Sequence, residues 1–336
     1  MRAPSFWSAD EARGSARLTR ALLSPLGYLY AWGTAHRIAT TKPHKAEAKV
    51  ICVGNLTMGG TGKTPLTARL MEILREMGHR PASLSRGYGG HEAGPLKVDL
   101  TRHTPRDVGD EPCLLARTGE AYIARERPAG ADLAAHNGAD VIIMDDGHQN
   151  PTLYKNYSIV VVDGQTGWGP GPLFPAGPLR EPVQAGLARA DMIIVMGPDD
   201  AFTPPYRALG LEDLEKPILR AWLAPTSPPP EGPLLAFAGI GRPQKVFDAL
   251  TRAGANLVEA ISFPDHHPYS EAEIARLLDL AEAHQARLIT TEKDWVRLSP
   301  AHREAILTWP VRAEISHLDS LTAHLRTVMD APLTLE

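Results

Sequence analysis

Val50-Ile51-Cys52-Val53-Gly54-Asn55-Leu56-Thr57-Met58-Gly59-Gly60-Thr61-Gly62-Lys63-Thr64 is the stretch that decides the fold. An apolar run ends in a glycine-rich turn, and the turn opens a helix that begins Lys-Thr. Glycines let successive backbone N–H groups converge on phosphate oxygens, and a helix N-terminus adds partial positive charge. In such a loop the lysine reaches the β/γ-phosphates and the threonine hydroxyl meets Mg²⁺. Residues 63–78 supply the required helix, with Leu66, Leu70, Ile73, Leu74 and Met77 on one face and Gly78 as a stop. The spelling departs from the common phosphate loop at Thr57, where glycine is usual. It is nearer to the deviant loops, whose signature lysine would stand at Met58. Residues 57–64 are therefore expected to hold ATP or GTP phosphates, without naming a reaction.

The chain has 336 residues, long for one domain and comfortable for two, and its 43% hydrophobic content is ample for a core. Its net charge of −4 conceals an asymmetry: residues 1–45 carry seven Lys/Arg against Asp10 and Glu11, so they stand at +5 and the remainder at −9. A basic leader on an acidic body argues against a nucleic-acid binder and for an approach to an anionic surface. Two cysteines, Cys52 and Cys113, make no disulfide framework or zinc site, and a reducing cytoplasmic compartment fits them. No window reaches the roughly 18–20 apolar residues of a transmembrane helix. The longest run, Ala21 to Trp32, contains Ser24, Pro25 and Gly27 and lacks a signal-peptide cleavage site.

The leader reads as two short helices split at Pro25. Arg13, Arg17 and Arg20 share a face, and Leu22, Leu23, Leu26, Tyr28, Leu29, Tyr30 and Trp32 follow. That composition suits a helix lying on a membrane, and equally a helix packed on the body with a solvated basic face. From Val50 strands and helices alternate, which argues a mostly parallel α/β sheet. Expected strands are 50–53, 81–85, 141–144, 158–162, 192–196, 234–238, 257–261 and 288–291. A helix over 271–285 starts in a Ser270-x-x-Glu273 capping box. The expected division is a basic amphipathic segment at 1–45, a phosphate-loop domain at 46–160, and a smaller second α/β domain at 161–336 that contributes to the cleft.

Four further strings carry chemistry. Val141 to Met144 runs into Asp145-Asp146, and a carboxylate at that strand end holds Mg²⁺ in phosphate-loop enzymes. Gly109-Asp110-Glu111-Pro112 could present a base for an acceptor hydroxyl, or simply start a helix. Asp265-His266-His267 could bind metal, orient a distant carboxylate or face solvent, with no further ligand at a recognised spacing. Ser85-Arg86-Gly87-Tyr88-Gly89 joins a guanidinium to a stacking ring, as a sugar phosphate would need, and also reads as a plain surface loop.

Taken together these strings resemble the bacterial tetraacyldisaccharide 4′-kinases, which phosphorylate a lipid A precursor. The resemblance runs in order along nearly the whole chain. It adds Asp145-Asp146-Gly147-His148-Gln149, Pro175-Ala176-Gly177-Pro178-Leu179-Arg180-Glu181, Ala238-Gly239-Ile240-Gly241 and Thr291-Glu292-Lys293-Asp294 to the motifs above. It implies a phosphate-loop fold with helices on both faces of the sheet, ATP with Mg²⁺, and transfer to the 4′-hydroxyl of a tetraacylated glucosamine disaccharide 1-phosphate. By the same resemblance Lys63 and Thr64 would serve the phosphates. Thr64, Asp145 and Asp146, with Glu181, would serve the metal. Asp110 would be the base, oriented by His266, and Arg86, Tyr88, Gln149 and Arg180 would meet substrate or transferring phosphate. The family commonly has histidine where this chain has Asn150. A peripheral monomer on the cytoplasmic face of the inner membrane, held by residues 1–45, follows as the expectation. The competing reading is a deviant phosphate-loop ATPase of the partitioning or maturation kind; a GTPase lacks its Asn-Lys-x-Asp string.

Overall fold

The apolar run 50–53 forms the centre of a nine-stranded sheet in the computed structural model, which describes residues 4–7 and 14–333. Its strand, Lys49–Gly54, is buried at every position, as a parallel strand covered on both faces must be. From one edge the order is Val311–Ile315, Ile218–Pro225, Met192–Gly197, Tyr157–Asp163, Lys49–Gly54, Val141–Asp145, Pro81–Ser85, Glu120–Ile123 and Leu96–Lys97. All neighbours are parallel except the outermost pair at each edge. Successive side chains alternate between faces. Ile51 and Val53 therefore meet Leu66, Leu70 and Leu74 of helix Lys63–Glu76 on one side. Val50 meets Ala131 and Ala134 of helix Arg127–His136 on the other. Burying one such leucine is worth roughly 1.5–3 kcal/mol.

A second sheet of four parallel strands runs Asn256–Ser262, Pro233–Ala238, Arg287–Thr290, Leu307–Thr308. Leu235 and Phe237 pack beneath helix Glu271–Ala283, and Leu234 and Ala236 beneath helix Pro243–Arg252. The Ser270–Glu273 capping box forms as expected. All eight expected strands are present, with ends shifted by a residue or so.

The expected division at residue 160 is corrected by the topology. Tyr157–Asp163 straddles it, and three later strands also belong to the large sheet. The second sheet collects only residues 233–308, after which Val311–Ile315 returns antiparallel to Ile218–Pro225. The two crossings lie side by side, Thr226 N–H donating to Pro310 O and the Trp309 indole to Ser227 O.

The leader is likewise one helix, Gly14–Thr40, not two split at Pro25. Proline forfeits one helical hydrogen bond. Pro25 lies on the exposed side, where water can satisfy the freed carbonyl, and the 27-residue helix continues past it to Thr40. Small residues seat this helix: Gly27 lies where a Cβ would come within 3.1 Å of Leu173 O. Tyr30 packs edge-on against Phe174, and Trp7 donates to Pro175 O. On the opposite side Leu18, Leu22, Leu29 and Trp32 are each more than 60% exposed. Arg13 falls outside the described residues. Among the described residues no helix is long and apolar enough to cross a membrane.

Candidate active site

The phosphate loop folds because its strand end and helix start are fixed on both sides. Gly62 takes φ +85°, the left-handed region that favours glycine, and the Met196 methyl packs where a Cβ would stand. Asn55 Nδ2 donates to Thr61 Oγ1 across the loop at 3.2 Å. The segment containing Pro178–Glu181 lies antiparallel against the loop: Met58 N–H donates to Pro178 O, and Arg180 N–H to Leu56 O. Thr57 and Met58 are thus held by this neighbouring segment, while Gly59 to Gly62 are left to turn.

Around the mouth of the loop the expected carboxylates gather. Thr64 Oγ1 donates to Asp145 Oδ2 at 3.2 Å, and Thr67 Oγ1 to Asp145 Oδ1 at 3.4 Å. Burial, reinforced by the charge of Glu111, raises the pKa of Asp145. Asp146 behaves oppositely. Burial would raise it, but Lys63 at 3.6 Å and the two-pronged Arg180 at 2.7 and 3.0 Å hold it down to about 2. Thr64, Asp145 and Asp146 are hard oxygen donors: Asp145, whose charge burial resists, gains most from a divalent cation, and Asp146, held ionised by Lys63 and Arg180, supplies a charged oxygen beside it. These three therefore fit Mg²⁺.

Glu181, also expected at the metal, stands close by with partners of its own. Arg189 Nη2 lies 2.7 and 2.6 Å from its two oxygens, and Gln149 Nε2 donates to Oε1 at 2.9 Å. Its buried carboxylate is occupied in bracing Gln149, which also reaches Asn55 O at 2.8 Å. Gln149 and Arg180 consequently belong to the framework of the loop and of Asp146. Asn150 closes a local turn by accepting from Thr152 N–H and Oγ1.

Across the cleft, Asp110 begins helix Asp110–Thr118 and His266 sits in the loop after Asn256–Ser262. They are 156 positions apart, yet His266 Nδ1 lies 2.8 Å from Asp110 Oδ2. His266 adopts φ +58° and is pinned by its N–H donating to Gly239 O. His267 instead meets Glu273 at 2.9 Å, which selects His266 of the two. Arg86 and Tyr88 are exposed on a loop pressed against Gly109, where a Cβ would come within 2.5 Å of Tyr88 O. The substrate candidates on that loop thus stand beside Asp110.

Arg297 was not singled out by the sequence. It is 6% exposed, donates through Nε to Asp110 Oδ2 at 2.8 Å, and through Nη1 to Asp294 at 2.9 Å. Burial would raise Asp110, but the His266 hydrogen bond and the Arg297 charge outweigh it and hold the carboxyl below its ordinary range. The signal available was the Thr291-to-Asp294 string, whose buried Asp294 carries Arg297 three residues on.

The comparisons with known proteins agree with this arrangement. Residues 19–330 match the family model of tetraacyldisaccharide-1-P 4′-kinase. The tetraacyldisaccharide 4′-kinase of Maricaulis maris is 56% identical, covering 99% of this chain and 98% of its own. That of Caulobacter vibrioides is 48% identical, covering 97% and 98%. The crystal structure of LpxK from Aquifex aeolicus in complex with ATP superposes with a TM-score of 0.75 at 26% identity, covering 92% of this chain and 99% of that one. A phosphate loop, an Asp-Asp strand end and a facing Asp–His pair, matched over nearly the whole length, leave one conclusion: the chain belongs to the tetraacyldisaccharide 4′-kinase family.

Proposed function

We propose that this chain transfers the γ-phosphate of ATP to the 4′-hydroxyl of a tetraacylated glucosamine disaccharide 1-phosphate. The observation that carries the reading is that Asp110, paired with His266, opens the helix whose next residue, Glu111, is near enough for its charge to act on Asp145 at the phosphate site. An ATPase needs no such second carboxylate base. Backbone N–H groups of residues 59–64 and Lys63 Nζ bind the β- and γ-phosphates. Lys63 is held ready by Asp146, which Arg180 keeps ionised. Thr64, Asp145 and Asp146 would hold Mg²⁺, which when bound neutralises charge on the phosphate oxygens. Asp110 accepts the 4′-hydroxyl proton as the new O–P bond forms and the γ-phosphate leaves ADP. His266 keeps the carboxylate in place. Arg86 and Tyr88 meet the sugar phosphate. Positioning and charge neutralisation supply most of the acceleration in such reactions.

The acceptor's acyl chains stay in a bilayer, so the enzyme works as a peripheral monomer on the cytoplasmic face of the inner membrane. The support is helix Gly14–Thr40, whose outward face is leucine and tryptophan. Its Arg37 donates to Gln149 O at 3.3 Å, so the end of the helix lies beside the loop that follows Asp145-Asp146.

The test is label from γ-labelled ATP given with detergent-dispersed acylated disaccharide 1-phosphate. Wild type should label the lipid and Lys63→Met should not; ATP consumption with unlabelled lipid would favour the ATPase.

A further inference from the structure

All contacts to Asp110 converge on one of its two oxygens. His266 Nδ1 and Arg297 Nε each lie 2.8 Å from Oδ2, and Arg297 Nη2 lies 2.7 Å from the same atom. Among the described residues nothing hydrogen-bonds Oδ1. The tautomer of His266 follows from Lys293, whose Nζ sits 3.2 Å from His266 Nε2. An ammonium only donates, so Nε2 accepts and the ring proton is on Nδ1, pointing at Asp110. Arg297 is itself fixed by Asp294 and by Gly239 O at 3.0 Å. Asp294 is fully buried and also accepts from Gly239 N–H, Tyr269 and Thr291. The second sheet therefore builds a rigid mount whose only reach into the cleft is toward Asp110 Oδ2.

We infer that Arg297 is a positioning residue for the phosphoryl transfer: it grips Asp110 Oδ2 so that Oδ1 faces the acceptor and receives its proton. The inference rests on Asp110 being the base. A permanent cation weakens a base, yet in a loose phosphoryl-transfer transition state the proton moves late, so orientation outweighs basicity. The charge has a second use. Glu111 and Asp107 on its own side, Asp265 and Asp294 opposite, and the nucleotide phosphates all oppose a further anion at Asp110. Against them stand the charges of Arg297 and Lys293 and the hydrogen bond from His266. The nearby Cys113 thiol is pushed up to about 12 by burial and by Asp110, so it stays neutral.

The experiment is the pH dependence of kcat for wild type, Arg297→Met and Arg297→Lys at saturating substrates. An opposite charge within 4–6 Å lowers a carboxyl by about one to three units. Arg297→Met should therefore move the acid limb upward by about that much, with KM for ATP little changed, and added guanidinium should draw it back. Arg297→Lys keeps the charge but loses the grip, so kcat should fall while the acid limb stays near that of wild type. If Arg297→Met fails to fold, Arg297→Gln carries the same prediction, since its amide nitrogen stands where Nε does and can keep a neutral hydrogen bond to Asp110 without the charge. A variant without the charge whose acid limb stays in place would overturn the inference. Full activity in Asp110→Asn would instead overturn the base assignment beneath it.

Discussion

Replacing Asp110 by asparagine keeps the shape of the side chain and removes its ability to take a proton. The amide oxygen can still accept from His266 Nδ1, so His266 and its Gly239 anchor should remain in place. General-base catalysis contributes typically 10²–10⁴-fold, so kcat should fall by about that factor, or roughly 3–5 kcal/mol of barrier. Folding stability should suffer less. Arg297 loses a charge partner at 2.8 Å but keeps Asp294 and Gly239 O, so the cost should be about 1.5–3 kcal/mol, that of a charged hydrogen bond. KM for ATP should hardly move, because among the described residues no hydrogen bond or ion pair joins the Asp110 side chain to residues 57–64. The assay is initial-rate kinetics at saturating lipid and ATP, with urea unfolding of the same preparations. A kcat within threefold of wild type in the folded variant would refute the reasoning.

Other consequences are as direct. Leu70 is wholly buried between helix Lys63–Glu76 and the large sheet, so Leu70→Ala should cost about 2–5 kcal/mol in urea unfolding; under 1 kcal/mol would mean that the packing is wrong. Leu22→Glu with Leu29→Glu should weaken co-sedimentation with anionic phospholipid vesicles more than tenfold while leaving the melting temperature unchanged, since both side chains face outward. Unchanged sedimentation would remove the membrane role of the leader. His148 is buried with Nε2–H donating to Gly186 O, and burial lowers its pKa from 6.5 to about 4. The unfolded chain then binds a proton that the folded one refuses. The associated stability is present above pH 6.5 and lost as pH falls toward 4, so Tm should drop across that window, and drop less in His148→Gln.

The central strands were legible because parallel strands buried on both faces must be nearly continuously apolar, as 50–53, 141–144 and 159–162 are. The phosphate loop was legible because its glycines and its Lys-Thr are demanded by backbone geometry and phosphate chemistry. Short or half-polar strands were not. Glu120–Ile123 spans four residues, and Val311–Ile315 alternates Arg and Glu with small apolar residues at an edge. The domain division escaped for a topological reason, since a chain that returns to its first sheet leaves no local mark. Pro25 misled because helix-breaking is a local cost, and packing of Gly27 and Tyr30 against Leu173 and Phe174 overrides it. Asp110 and His266 each carried an ordinary local meaning, and only the motif resemblance joined them. Arg297 had no motif of its own, and nothing local to Glu181 announced its pairing with Arg189, eight residues ahead.

The most direct measurement is the position of the new phosphate on the product. Phosphorus and proton NMR of the lipid recovered after incubation with ATP should reveal a second phosphomonoester coupled to the H4′ proton, alongside the original 1-phosphate. Recovery of unchanged lipid with inorganic phosphate, or a phosphate on another hydroxyl, would contradict the account.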